Sequence, residues 1–200
     1  MDWSLIINWR LKIKILIACE YSGRVREAFA KLGHDAWSCD LLPTEQEGNH
    51  IIGDCIEIAY GVHWDLMVCH PPCTDLAVSG AKHFPAKISD GRQQKALDFV
   101  KELLNAPIQK IALENPVSII SSKIRLPSQY IQPWQFGHGE TKKTGLWLKG
   151  LPLLKPTNIV EGREAIVHKM PPGPDRWKNR SRTYQGIADA MAIQWGSNAA

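Results

Sequence analysis

The sequence predicts an α/β fold, a mostly parallel sheet with helices on both faces. Two observations predict it. Short, β-branched apolar runs alternate with stretches whose apolar residues recur at helical spacing, the pattern of βαβ units. In addition, the ends of five such runs carry Glu20, Asp40, Asp54, Cys73 and Glu114. Open α/β sheets gather their functional groups at the carboxyl ends of their strands. A chain of 200 residues is long enough for one domain with a sizeable core.

The elements follow in order. Lys12 to Cys19 reads as a buried strand, and Glu20-Tyr21-Ser22-Gly23 as the turn after it. Val25, Ala28, Phe29 and Leu32 then mark one helix face, stopped by Gly33. Ala36 to Cys39, His50 to Asp54 and Trp64 to Cys69 read as strands. Ala96, Val100, Leu103 and Leu104 mark a second amphipathic helix with Asp90 near its N-cap. Ile108 to Leu113 is a fifth strand, ending at Glu114-Asn115-Pro116. Beyond residue 125, Pro, Gly, Gln and Trp become frequent, with a short strand signal at Gly145 to Lys149 and a last helix over Ile187 to Trp195. The expected division is a catalytic α/β domain of residues 1–125 and 180–200. Residues 126–179 are then a small substrate-facing subdomain or a basic loop region, or they finish the sheet.

Charge sharpens that division. The net charge is +4, and residues 155–182 hold seven basic against three acidic side chains, which accounts for all of it. Such a segment suits phosphate contacts, which give affinity without base specificity; the alternative is a solvated loop. The five cysteines sit in no disulfide spacing and suit a reducing cytoplasm. Leu5-Ile6-Ile7 is interrupted by Arg10, Lys12 and Lys14, unlike a signal peptide. No apolar run approaches the ~20 residues of a membrane span.

The most informative run is Asp65 to Thr74, where a strand ends in Pro71-Pro72 and presents Cys73. Two prolines stiffen the loop, so the thiol is held as a nucleophile would be. Glu114 on a second stiff segment is its natural partner. A thiolate that adds to an electron-poor ring, with a carboxyl on a ring nitrogen, makes the neighbouring carbon nucleophilic. The first turn has a single glycine and fails the dinucleotide pattern. A cofactor without pyrophosphate fits better, and S-adenosylmethionine is the expectation. Glu20 would face its cationic end, Asp40 the ribose and Asp54 the adenine amino group; otherwise Asp40 and Asp54 cap turns. Cys69, His70, Cys73 and His138 as zinc ligands lack a second Cys-x-x-Cys pair. A Cys/His couple of protease type lacks supporting spacing. Trp134, Phe136 and Trp147 are read as core of the small subdomain, and Lys142 and Lys143 as exposed.

These motifs resemble the DNA (cytosine-5) methyltransferase family. Lys14 to Asp40 is similar to its first motif, Gly53-Asp54 to the third, and Asp65 to Gly80 to the nucleophile motif with its Pro-Cys. Leu113 to Pro116 is similar to the Glu-Asn motif, and Gln185 to Ala188 to the last helix motif. The resemblance implies a class I S-adenosylmethionine-dependent methyltransferase (Rossmann-like) fold. It implies Cys73 at C6 of cytosine and Glu114 at N3. A cofactor pocket of Glu20, Tyr21, Ser22, Gly23, Asp40, Asp54, Pro71 and Gly186 follows, with substrate contacts from Thr74, Asn115, Lys142 and Lys143. The implied partner is DNA, with RNA or a nucleotide as alternatives, and a non-catalytic binding protein on the same fold is the competing reading. Thr74 stands where the family usually has glutamine, and Cys19 and Tyr21 where its first motif has phenylalanine and glycine.

Overall fold

The computed structural model describes residues 12–197, so Leu5-Ile6-Ile7 lies outside the described part. One sheet contains seven strands: β1 (Lys14–Ala18), β2 (Asp35–Asp40), β3 (His50–Ile52), β4 (Leu66–Cys69), β5 (Lys110–Pro116), β6 (Gln129–Ile131) and β7 (Thr144–Lys149). The order is β3-β2-β1-β4-β5-β7-β6. Strands β1 to β5 are parallel, and β7 is antiparallel to β5 and β6. The helices are α1 (Arg24–Lys31), α2 (Cys55–Gly61), α3 (Phe84–Ser89), α4 (Arg92–Asn105), α5 (Ile120–Lys123), α6 (Ile166–Lys169), α7 (Arg176–Ser181) and α8 (Gln185–Gly196).

Both faces of the sheet are buried, which is why its strands read as continuous apolar runs. On one face Ile15 and Ile17 share a core with Val25 and Phe29 of α1 and with Met191 and Trp195 of α8. On the other, Leu16 and Ala18 meet Leu97, Val100 and Leu103 of α4. Each such side chain contributes about 1.5–3 kcal/mol when fully buried. Trp195 also donates its indole N–H to the Pro152 carbonyl at 3.0 Å, fixing the chain that leaves β7.

The structure departs from the sequence reading in two places and takes one of its alternatives in a third. Strand β5 continues through Glu114-Asn115-Pro116 instead of stopping at Leu113. Beyond the end of β4 it keeps β7 as an antiparallel partner, pairing Glu114 with Leu146 and Pro116 with Thr144. Residues 129–149 of the segment set apart from the α/β domain complete the main sheet as β6 and β7. Phe136 and Trp147 are buried in the main cores on the two faces. Finally, α2 and α3 were not legible; the first is announced only by Asp54, whose carboxylate accepts the Ile56 N–H at 2.7 Å.

Candidate active site

The ends of β4 and β5 are sewn together by backbone and side-chain bonds. Cys69 pairs with Leu113, which sets His70 abreast of Glu114. His70 donates its own N–H to Ala18 at 3.0 Å, and its Nδ1 lies 3.1 Å from Glu114 Oε2. Asn115, fully buried, donates its Nδ2–H to the Pro71 carbonyl at 2.9 Å. Downstream, the Val78 N–H bonds Val117 and the Ile119 N–H bonds Leu76, both at 3.0 Å. The Cys73 carbonyl accepts from Leu76 and Ala77, closing a turn immediately after the nucleophile candidate. Lys87, itself buried, donates to the Thr74 carbonyl and lies 3.4 Å from Asp75, while Gln93 holds the Asp75 carbonyl. Nothing in the sequence pattern pointed to Lys87 or Gln93.

Cys73 and Thr74 are exposed and Pro71 is buried, so the loop is anchored at its root and open at its tip. Burial pushes the Cys73 thiol above its ordinary value, and the Glu114 charge adds to this, while Lys142 and Arg180 pull it down. Burial acts on Glu114 in the same direction, but the His70 hydrogen bond, the Lys142 charge and a Thr144 hydrogen bond outweigh it. The Glu114 carboxyl therefore sits below the usual range. Lys142 is half-buried rather than exposed: its ammonium donates to the Arg180 carbonyl at 3.0 Å and lies over the Tyr184 ring. Lys143 is exposed, with its ammonium 4.4 Å from the Tyr130 ring centroid on edge strand β6.

The ends of β1 and β2 look different. Glu20 is buried, and its carboxylate accepts the Val25 and Arg26 N–H groups at 2.7 and 3.2 Å and the Ser22 hydroxyl at 3.2 Å. It anchors the start of α1 instead of standing open to a cation. Cys19 adopts a left-handed φ of 59°, and its N–H is bonded by Cys55 Sγ at 3.2 Å. Cys19, Cys39 and Cys55 form a thiol cluster there, in which hydrogen bonds from Cys19 and Cys39 lower the Cys55 thiol. Asp40 is half-buried, accepts the Leu42 N–H at 3.0 Å, and is raised by burial. Asp54 is exposed and caps α2, so turn capping is the role seen for it. Leu41 and Ile52, both exposed, flank these acids.

The basic segment folds back as a cover over the first turn. Tyr21 is buried beneath it, and Ser22 and Gly23 beside it are buried too. The Tyr21 hydroxyl bonds the Lys178 carbonyl and Ser181 at 3.0 Å, and its ring packs on Trp177 with centroids 5.9 Å apart. Arg24 donates to the Thr183 carbonyl at 3.0 Å, and Arg182 makes two bonds to Glu45 at 2.8 and 2.6 Å. A cleft of about 190 Å³ lies here, lined by Arg24, Arg180, Arg182 and Asn179 among others. Gly186 packs against the body: a Cβ there would lie 1.9 Å from the Phe136 carbonyl oxygen, and its N–H donates to His138 Nε2 at 3.1 Å. Among the described residues no group of three His, Cys, Asp or Glu is arranged to hold a metal, and no helix is long and apolar enough to cross a membrane.

Neither a protein-family model nor a curated protein matches the sequence. Among solved structures, the chain is similar to a crystal structure of a protein described as a DNA modification methyltransferase encoded within an E. coli prophage. The TM-score is 0.50 at 16% identity, over 75% of this chain and 52% of that one. The fold is Rossmann-like, with a mostly parallel seven-stranded sheet between two layers of helices. The likeness extends to the architecture only, and the chain spans about half the length of that neighbour.

Proposed function

We propose that the protein methylates C5 of cytosine in DNA through a covalent bond between Cys73 and C6. One observation carries this reading: the Pro-Pro-Cys loop and the Glu-Asn segment are stitched to each other, with Asn115 bonded to the Pro71 carbonyl. That holds a thiol on which the Glu114 charge acts at an exposed loop tip. Cys73 Sγ adds to C6, Glu114 holds N3, and C5 becomes the nucleophile. Release then requires loss of the C5 proton and of the sulfur from C6. In duplex DNA the base must first leave the stack, which costs a few kcal/mol.

S-adenosylmethionine, when bound, supplies an electrophilic methyl group. The donor set at the β2 and β3 ends fits its nucleoside portion: Asp40 is a half-buried carboxylate for ribose hydroxyls, with exposed Leu41 and Ile52 beside it as apolar flanks. Tyr21, Ser22 and Gly23 would border the remainder once the basic cover is displaced. Arg24, Arg180 and Arg182 around their cleft suit the phosphates of a strand and favour a polymer over a free nucleotide.

A binding protein that keeps the fold without turnover is favoured by one specific feature, the burial of the first turn under α7. Methyl transfer from labelled cofactor to DNA separates the two. Full loss in Cys73→Ala supports the covalent route, and undiminished transfer in that variant overturns it. Absence of any calorimetric heat with S-adenosylmethionine would favour the binding protein.

A further inference from the structure

The resting charges of the two central groups are the reverse of what attack on C6 needs. Cys73 is held as a thiol and Glu114 as a carboxylate, whereas attack needs a thiolate and an acid. Both arrangements contain the same single proton. We propose that His70 positions Glu114 to take the Cys73 thiol proton, so that the proton leaving sulfur is the one passed to the ring nitrogen of the substrate. This rests on the pyrimidine reading above.

The step balances without an outside reagent. The S–H bond breaks as Glu114 takes the proton, and the Sγ–C6 bond forms. The C5=C6 pair shifts to C4=C5, the C4=N3 pair moves to N3, and N3 receives the proton from Glu114. A carboxyl can do this only if it is ionised at rest and fixed in orientation, and burial alone works against ionisation.

His70 meets both needs. Strand register sets it abreast of Glu114, and Nδ1 lies 3.1 Å from Oε2. Because an ionised carboxylate only accepts, Nδ1 is the ring nitrogen that carries the hydrogen. The His70 side chain is 9% exposed, and its Nε2 is buried with no hydrogen-bond partner among the described residues. The ring is therefore held through the Glu114 bond. The other groups facing this pair are Lys142 and Thr144 from the start of β7, Cys69 from β4, and Arg180 from α7. His70 is a positioning residue: it acts on the substrate through Glu114.

The test reads the pH profile of Cys73 alkylation by iodoacetamide in the whole protein, with peptide mass mapping and a melting curve for each variant. Cys73 is the one exposed thiol among the described cysteines. In the wild type its reactivity rises above the ordinary thiol range of ~8.5. Glu114→Gln removes the carboxylate charge that helps hold the thiol up, so it lowers that point and speeds alkylation at neutral pH. In His70→Ala, Glu114 titrates closer to neutrality, so alkylation below that point is faster than wild type and the profiles converge at alkaline pH. His70→Asn, which restores an N–H toward Oε2, returns the profile toward wild type. Superimposed wild-type and His70→Ala profiles overturn the role of His70, even in a protein that forms a covalent adduct with 5-fluorocytosine DNA. The predicted profiles in a protein that forms no such adduct overturn the pyrimidine reading instead.

Discussion

Two neighbouring stretches of one sheet edge are closed by different means. At β4 and β5, the loops bearing Cys73 and Glu114 are joined by backbone bonds and by the buried amide of Asn115, across a separation of 44 residues. At β1 and β2, the turn is closed by side chains reaching to α7, such as Tyr21 to Lys178 across 157 residues. Backbone stitching in a buried strand end resists opening, because each broken bond leaves a buried polar group unpaired. A latch of side chains and an ion pair near the surface is worth far less. One stretch is fixed by backbone bonds, and the other is held by side-chain contacts that cost less to break.

The largest expected effect breaks the first stretch chemically. Glu114→Gln keeps the size and most hydrogen bonds but cannot relay a proton, so adduct formation with 5-fluorocytosine DNA should fall by about 10²–10⁴ in rate. Stability follows a defined sign. The folded Glu114 value is lowered, so its contribution is present above the unfolded value and is lost as pH falls through the folded one. Urea melts at acid pH should therefore show a shallower loss of stability in Glu114→Gln.

Asn115→Ala breaks the same stretch mechanically. It removes the bond to the Pro71 carbonyl and should cost about 1–3 kcal/mol in a denaturant melt. Adduct formation should slow while S-adenosylmethionine affinity, measured by calorimetry, stays near wild type. Equal losses of both would mean that the two stretches are one cooperative unit.

Much of the first stretch was legible in the sequence, because prolines, strand ends and the Glu-Asn pair act locally. The Glu-Asn segment reaches the Pro-Pro-Cys loop through the Asn115 bond to Pro71, and the helices over Arg24–Lys31 and Gln185–Gly196 lie where their apolar spacing put them. What was not legible depends on distant partners. His70 gains its place only from strand register, Lys87 and Gln93 only from how α3 and α4 pack on the Cys73 loop, and Arg26 only from the loop it fastens. That arginine is 1% exposed and bonds Ser38, Thr44 and the Gln46 and Glu47 carbonyls. Glu20 shows the same limit: a strand-end acid reads as a ligand group until the N–H groups it accepts are seen.

The smallest effect tests the second stretch. Arg182→Ala removes the pair with Glu45, which is partly exposed, so stability should fall by at most about 1 kcal/mol, and less at high salt. Glu45 is lowered chiefly by its bond from Arg182, so this contribution is present above the unfolded value and is lost as pH falls through the folded one. Proteolysis within residues 166–182 should nevertheless quicken, and S-adenosylmethionine should associate faster. Unchanged proteolysis and association would show that the cover is not a latch.

The central claim is that Cys73 and Glu114 form one reacting pair on a pyrimidine ring. Intact-mass analysis of the protein with 5-fluorocytosine DNA and S-adenosylmethionine tests it most directly. A covalent complex is expected at the summed mass of protein and methylated oligonucleotide, with the modification mapped to Cys73 and absent from Cys73→Ala. A protein that stays at its unmodified mass while binding both cofactor and DNA would contradict it.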